Sequence, residues 1–280
     1  MPVPADWTPH RREDGELLGW IIADDATREM WSAYGVLGRR RLPLDFRSEF
    51  RGEDLGVIEQ VVPAGVASVE TFADPPGIAP MPGEEAIIAR AVDKRRREFI
   101  TARDCARRAM AQLGVEPAPI LRSATGSPQE KAAPIWPQGI VGSITHTDGY
   151  RAAVVAYKLQ IRSLGIDAEP HEALPEGVLD HTSIAEERAV LATRPAGLHW
   201  DRLLFCAKEA TFKTWFPLTK RWLGFEDAHI TFEQTGEAGG TFVSKLLVDG
   251  SVIDGGTPLA SFDGLWRVEQ GFILTSIALT

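Results

Sequence analysis

The chain has 280 residues, 44% apolar and 25% charged, with a formal net charge of −9. That is the composition of a globular protein, and no apolar run approaches the roughly 20 residues that a membrane-spanning helix needs. The negative balance argues against a protein that coats nucleic acid, and Met1-Pro2-Val3-Pro4-Ala5-Asp6 lacks the basic and apolar regions of a secretory signal. A cytoplasmic protein is expected. Its two cysteines, Cys105 and Cys206, lie in apolar, helix-like surroundings and are expected as buried thiols.

Residues 1–55 mix Asp, Glu and Arg with scattered Trp and Leu and read as an N-terminal extension, partly disordered, with a helical stretch over 26–34. From about Leu55 the pattern is globular. Val92, Phe99, Ala106, Met110 and Leu113 recur at helical spacing and predict one long helix over 84–113, stopped by Gly114. A Pro- and Gly-rich connection leads to Gly139. Short strands are expected at 141–143, 151–157 and 163–167. Ser183 with Glu186 fits a capping box, and Asp201 is placed to cap a helix over 202–216 that Pro217 ends. Strands near 228–233, 241–249, 265–269 and 271–279 complete the chain. Helices in blocks between antiparallel strands predict an α+β fold.

Asp167 and Glu169, two apart on a strand, face the same way. Carboxylates held together repel, and a hard divalent cation relieves this; Mg²⁺ commonly takes one or two carboxylates plus phosphate oxygens. Two solvated acids at a strand end are the plain alternative. Glu209 adds a third carboxylate, in a helix bearing Phe205, Phe212 and Trp215 and flanked by Lys208 and Lys213. A surface pair between Glu209 and Lys213 is the plain alternative there. Lys94-Arg95-Arg96-Arg97 with Arg103, Arg107 and Arg108 is the most basic stretch, pointing to one anionic ligand. Arg95 and Arg103, eight apart, share nearly one helix face, whereas Arg97, Arg107 and Arg108 read as solvated charge. No P-loop, Rossmann glycine fingerprint or C-x-x-C pair is present.

Gly165-Ile166-Asp167-Ala168-Glu169 and Phe205-Cys206-Ala207-Lys208-Glu209-Ala210-Thr211-Phe212-Lys213 resemble the G-x-D-x-E and W/F-x-x-K-E-x-x-x-K motifs of phosphopantetheinyl transferases of the surfactin-synthetase-activating (Sfp-type) class. The run from His199 to Asp227 resembles its actinobacterial branch. The resemblance covers about residues 55–280. It implies two similar α+β subdomains, 56–160 and 161–280, related by a pseudo-twofold, with the active site in the cleft between them. It further implies Mg²⁺ (or Mn²⁺) held by Asp167, Glu169 and Glu209, with Glu209 taking a carrier serine proton directly or through water, and Lys208 and Lys213 on the diphosphate. Gly142-Ser143-Ile144-Thr145-His146-Thr147 is similar to the family's S-x-S/T-H element, which implies contacts from Ser143, Thr145 and His146 to coenzyme A phosphates. The family's R-x-x-F-x-x-x-R spacing is present as Arg96, Phe99 and Arg103. Arg95 and Arg103 are spaced to clamp the 3′-phosphate, and Arg122 stands where a basic residue lines the nucleotide pocket.

The implied reaction moves 4′-phosphopantetheine from coenzyme A to a serine of an apo acyl or peptidyl carrier protein and releases adenosine 3′,5′-bisphosphate. A monomer without nucleic-acid or membrane partners is expected, meeting an acidic carrier through Lys220, Arg221 and the Trp215-Phe216 edge. A non-catalytic coenzyme A or carrier-binding module, and another Mg²⁺-dependent enzyme acting on a nucleotide diphosphate, are the competing readings.

Overall fold

The computed structural model describes residues 7–11, 17–22, 56–123, 126–127 and 132–280. It divides into two units, residues 1–51 and 52–280. In the first, β1 (Trp7–Arg11) and β2 (Leu17–Ile22) pair antiparallel, Trp7 opposite Ile22. No strand was expected there; the helix predicted over 26–34 lies outside the described residues.

The second unit is α+β. Its first sheet has the order β3-β5-β4, formed by Ala67–Thr71, Tyr150–Tyr157 and Ile140–Thr147. Against it lies helix α2 (Asp93–Gln112), burying Cys105, Ala106 and Met110 with Val69, Ala153 and Val155. The other sheet has the order β6-β10-β9-β8-β7, with β6 at Ser163–Pro170, β7 at Ala228–Gly236, β8 at Gly239–Leu246, β9 at Ser261–Glu269 and β10 at Phe272–Leu279. Helix α5 (Trp200–Thr219) covers it, packing Leu203, Leu204, Cys206 and Trp215 onto Phe242, Phe262 and Trp266. Each half is thus an antiparallel sheet carrying one 20-residue helix.

Hydroxyls join the halves. Ser143 Oγ accepts Ile166 N–H at 3.0 Å and Thr145 Oγ1 accepts Ala168 N–H at 3.1 Å, so β4 and β6 run side by side through side chains. Both cysteines are buried free thiols, as expected.

The single helix predicted over 84–113 is two, α1 (Glu84–Ile88) and α2. Arg96 Nη1 donates to Ile88 O, closing α1, and Val92 is extended at ψ 156°. Glu84, 0% exposed, accepts hydrogen bonds from Met81 N, Ile120 N and Arg107 Nη1. That pins the start of α1 against the middle of α2. Arg107 is therefore a buried partner and not solvated charge, while Arg97 and Arg108 are exposed as expected.

Other helix ends differ from the sequence reading. Ser183 Oγ donates to Leu179 O in α3 (Val178–Thr182), and α4 (Ala185–Leu191) is instead closed by Glu187, whose Oε2 accepts Ile184 N–H. Asp201 does not cap α5; it accepts Leu174 N–H. Pro217 does not end α5, which runs on through Thr219. Lys220, left-handed at φ 54°, terminates it by donating to Phe216 O.

Candidate active site

A cavity of about 510 Å³ opens between the halves. Glu209, Phe212, Lys213 and Phe216 line it from α5, at the steps of three and four that put side chains on one helix face. Arg95, Phe99 and Arg103 line it from α2, His146 from β4, and Arg122 from the connection between them. The first glycine of the G-x-D-x-E motif sets the approach of α5. A Cβ on Gly165 would lie 2.1 Å from Ala210 O and 2.2 Å from Thr214 Oγ1, so only glycine lets β6 bring Asp167 under the helix.

Among the described residues Arg95 meets Glu98 at 3.6 Å, but Arg103 and Arg122 pair with no carboxylate. Arg103 stands 3.4 Å over the Phe99 ring and donates Nε–H to Ile120 O. Burial and the neighbouring Arg122 pull its pKa down to about 9. Arg122 is likewise lowered by burial and by Arg95, and its buried Nε meets no hydrogen-bond partner among the described residues. Like charges held together and an orphaned donor describe a site shaped for an anion. Arg122→Met is therefore expected to leave the free protein's midpoint in thermal melts unchanged or higher, because it removes a buried donor left without a partner among the described residues.

His146 contacts Arg95 Nη1 through both ring nitrogens. Burial first, then Arg95 and Lys213, lower its pKa to about 3, so the imidazole is neutral at pH 7. Between about pH 6.5 and 3 the unfolded chain binds the extra proton, so stability falls with pH across that window. His146→Asn should flatten that loss in thermal melts from pH 7 to 4.

On the acidic side, Asp167 Oδ1 accepts Lys213 Nζ at 2.7 Å and Thr145 Oγ1 at 3.1 Å, and the buried Oδ2 meets no partner among the described residues. Glu169 pairs with Arg202 at 3.0 Å. Burial and then Asp167 raise the Glu169 pKa to about 7, and the same two causes raise that of Glu209. Lys213 is opposed by burial but held charged by Asp167 and Glu209, with a net upward shift. Among the described residues no three His, Cys, Asp or Glu side chains converge to hold a metal.

Several expected site residues stand elsewhere. Lys208 does not line the cavity; it is buried beneath α5 on Glu187, Phe225 O and Ala228 O. Thr145 is buried, orienting Asp167 and bonding β6, while Ser143 lines the cavity with its oxygen already accepting Ile166 N–H. Trp215 and Phe216 are buried and form no surface edge; Trp222, 60% exposed and 5.1 Å from the Phe212 ring, is the aromatic at the surface. Arg221 is engaged by Asp249 O and Ser251 O. Nothing in the sequence singles out Arg202 or Glu187, each one charge on a helix whose partner, Glu169 or Lys208, only the fold brings near.

Comparison with known proteins decides the family. Residues 83–156 match the 4′-phosphopantetheinyl transferase N-terminal domain and residues 163–248 the 4′-phosphopantetheinyl transferase superfamily. The 4′-phosphopantetheinyl transferase Npt of Nocardia iowensis is 58% identical over 226 residues, covering 79% of this chain and 99% of the relative. PptT of Mycobacterium tuberculosis is 57% identical over 230 residues, covering 80% and 98%. The chain belongs to the 4′-phosphopantetheinyl transferases. Svp of Streptomyces mobaraensis, 44% identical over 229 residues and covering 80% and 89%, is a more distant relative of the same activity. The kinship is with the actinobacterial, Sfp-like type, whose members transfer phosphopantetheine to carrier proteins, as does this chain.

Proposed function

We propose that this transferase binds coenzyme A in the 510 Å³ cavity, with Arg95, Arg103 and Arg122 on the adenosine 3′-phosphate and His146 and Lys213 beside the diphosphate. The single observation that carries this is a wall of mutually repelling arginines facing half-buried Glu209 across one cavity.

Asp167, Glu169 and Glu209, which do not converge as a ligand set in this structure, are the groups that would have to be drawn together to hold Mg²⁺ or Mn²⁺. The orphaned Asp167 Oδ2 supports this, as do the pKa values of the other two carboxylates, raised by burial and then by the charge of Asp167. Such an ion would neutralise charge on the diphosphate. Glu209, with its basicity raised by burial, takes the proton of the carrier serine, directly or through one water. The serine oxygen forms a bond to the β-phosphorus of coenzyme A. The bond to the bridging oxygen breaks, and adenosine 3′,5′-bisphosphate leaves. Lys213 faces the charge that grows on the departing phosphate.

Residues 56–160 and 161–280 are the two halves in this reading, residues 1–55 an extension, and the working form a cytoplasmic monomer without nucleic-acid or membrane partners. No described helix is long and apolar enough to cross a membrane.

The test is intact mass spectrometry of several apo-carrier proteins incubated with the chain, coenzyme A and Mg²⁺. A gain of one phosphopantetheine that disappears in EDTA is the expected result. Loading that persists unchanged in EDTA refutes the metal assignment, and no loading with coenzyme A still bound favours the binding-module reading.

A further inference from the structure

We infer that Glu187 and Lys208 form a positioning pair that locks the active-site helix from behind, and that Lys208 makes no contact with coenzyme A. An ammonium has three donors. Lys208 Nζ spends them on Glu187 Oε1 at 2.9 Å, Phe225 O at 2.6 Å and Ala228 O. The two charged side chains are 2% and 1% exposed, so no donor is left for a phosphate.

Glu187 is as fully engaged. Oε1 accepts Ile230 N–H at 2.7 Å as well as Lys208, and Oε2 accepts Ile184 N–H at 3.0 Å. One ion pair therefore ties α4, α5, the turn at Phe225–Asp227 and the start of β7 together. Successive helix residues point about 100° apart, so Glu209 faces the cavity while Lys208 faces the anchor.

On the β6 side, Gly165 lets Ala210 and Thr214 sit against the strand. Apolar packing alone leaves a helix free to rotate slightly; directional bonds to a buried charge do not. The pair thus fixes the rotation of α5 that aims Glu209 and Lys213. Errors of about 1 Å in such aim cost roughly a hundredfold in rate.

The inference rests on the transferase reading and is tested by kinetics of carrier loading together with calorimetry of coenzyme A. Lys208→Met and Glu187→Gln are each expected to lower kcat about 10- to 100-fold with the Kd for coenzyme A changed less than about threefold. Because both act through one link, the double variant should be no slower than the worse single. A coenzyme A Kd about tenfold weaker in Lys208→Met, when Glu187→Gln leaves it unchanged, would show a phosphate contact and overturn the inference. So would wild-type kcat in either variant, or losses that multiply in the double. Should a lone charge unfold the chain, Glu187→Leu with Lys208→Met leaves no buried charge unpartnered and carries the same kinetic and binding test. If the wild-type chain loads no carrier, the transferase reading fails instead, and the coenzyme A titration still decides whether Lys208 touches phosphate.

Discussion

Glu209→Gln is expected to lower carrier loading by about three orders of magnitude in kcat, while coenzyme A affinity in EDTA stays within about threefold. The substitution keeps the shape of the side chain and removes its basicity. Glu209 is half-buried on the cavity wall, and burial with the nearby charge of Asp167 raises its pKa. A carboxylate so placed is a better base near neutral pH than a solvated one, and an amide cannot accept the serine proton. Steady-state loading by intact mass, paired with calorimetric titration, separates the two quantities. Loading within tenfold of wild type would remove Glu209 from the role of base, and a collapse of coenzyme A affinity would mean that its part lies in holding the cofactor.

Gly165→Val is expected to cost about 3 kcal/mol or more of stability, and to abolish loading in whatever folded fraction remains. Even the first carbon of a side chain here would stand 2.1 Å from Ala210 O and 2.9 Å from Thr214 N. Those are backbone atoms of α5, so relief requires the helix to lift from β6. Lifting it draws Glu209 and Lys213 away from Asp167, whose Oδ1 now lies 2.7 Å from Lys213 Nζ. Chemical denaturation and carrier loading should therefore fail together. A stable Gly165→Val variant with normal loading would show that this close approach is dispensable.

Much of the site was legible in the chain. The period of two along β6 placed Asp167 and Glu169 on one strand face, and the period of α5 placed Glu209 near Lys213. The basic stretch of α2 did supply Arg95 and Arg103 to one cavity. These are local consequences of spacing, so a linear pattern carries them. Other features were not local. Arg107 reads in the chain as solvated charge and is half of a buried pair with Glu84, because their meeting depends on how α1 folds back on α2. The helix break near Val92 follows from the same contact and from Arg96 reaching Ile88 O, neither of which a hydrophobic period reveals.

By itself, the sequence determined the α+β class, the three carboxylates, the cationic stretch and the glycine that opens the G-x-D-x-E motif, since residue type and short-range period specify these. Only the tertiary structure decided which lysine serves the cavity. Lys208 and Lys213 are equivalent as letters in a motif, yet one is buried on Glu187 and the other reaches Asp167. The same holds for Arg202, which settles on Glu169, and for Thr145, which turns to Asp167 and the β6 backbone. A buried charge must take whatever opposite charge the packing brings within reach, and packing is a property of the whole fold.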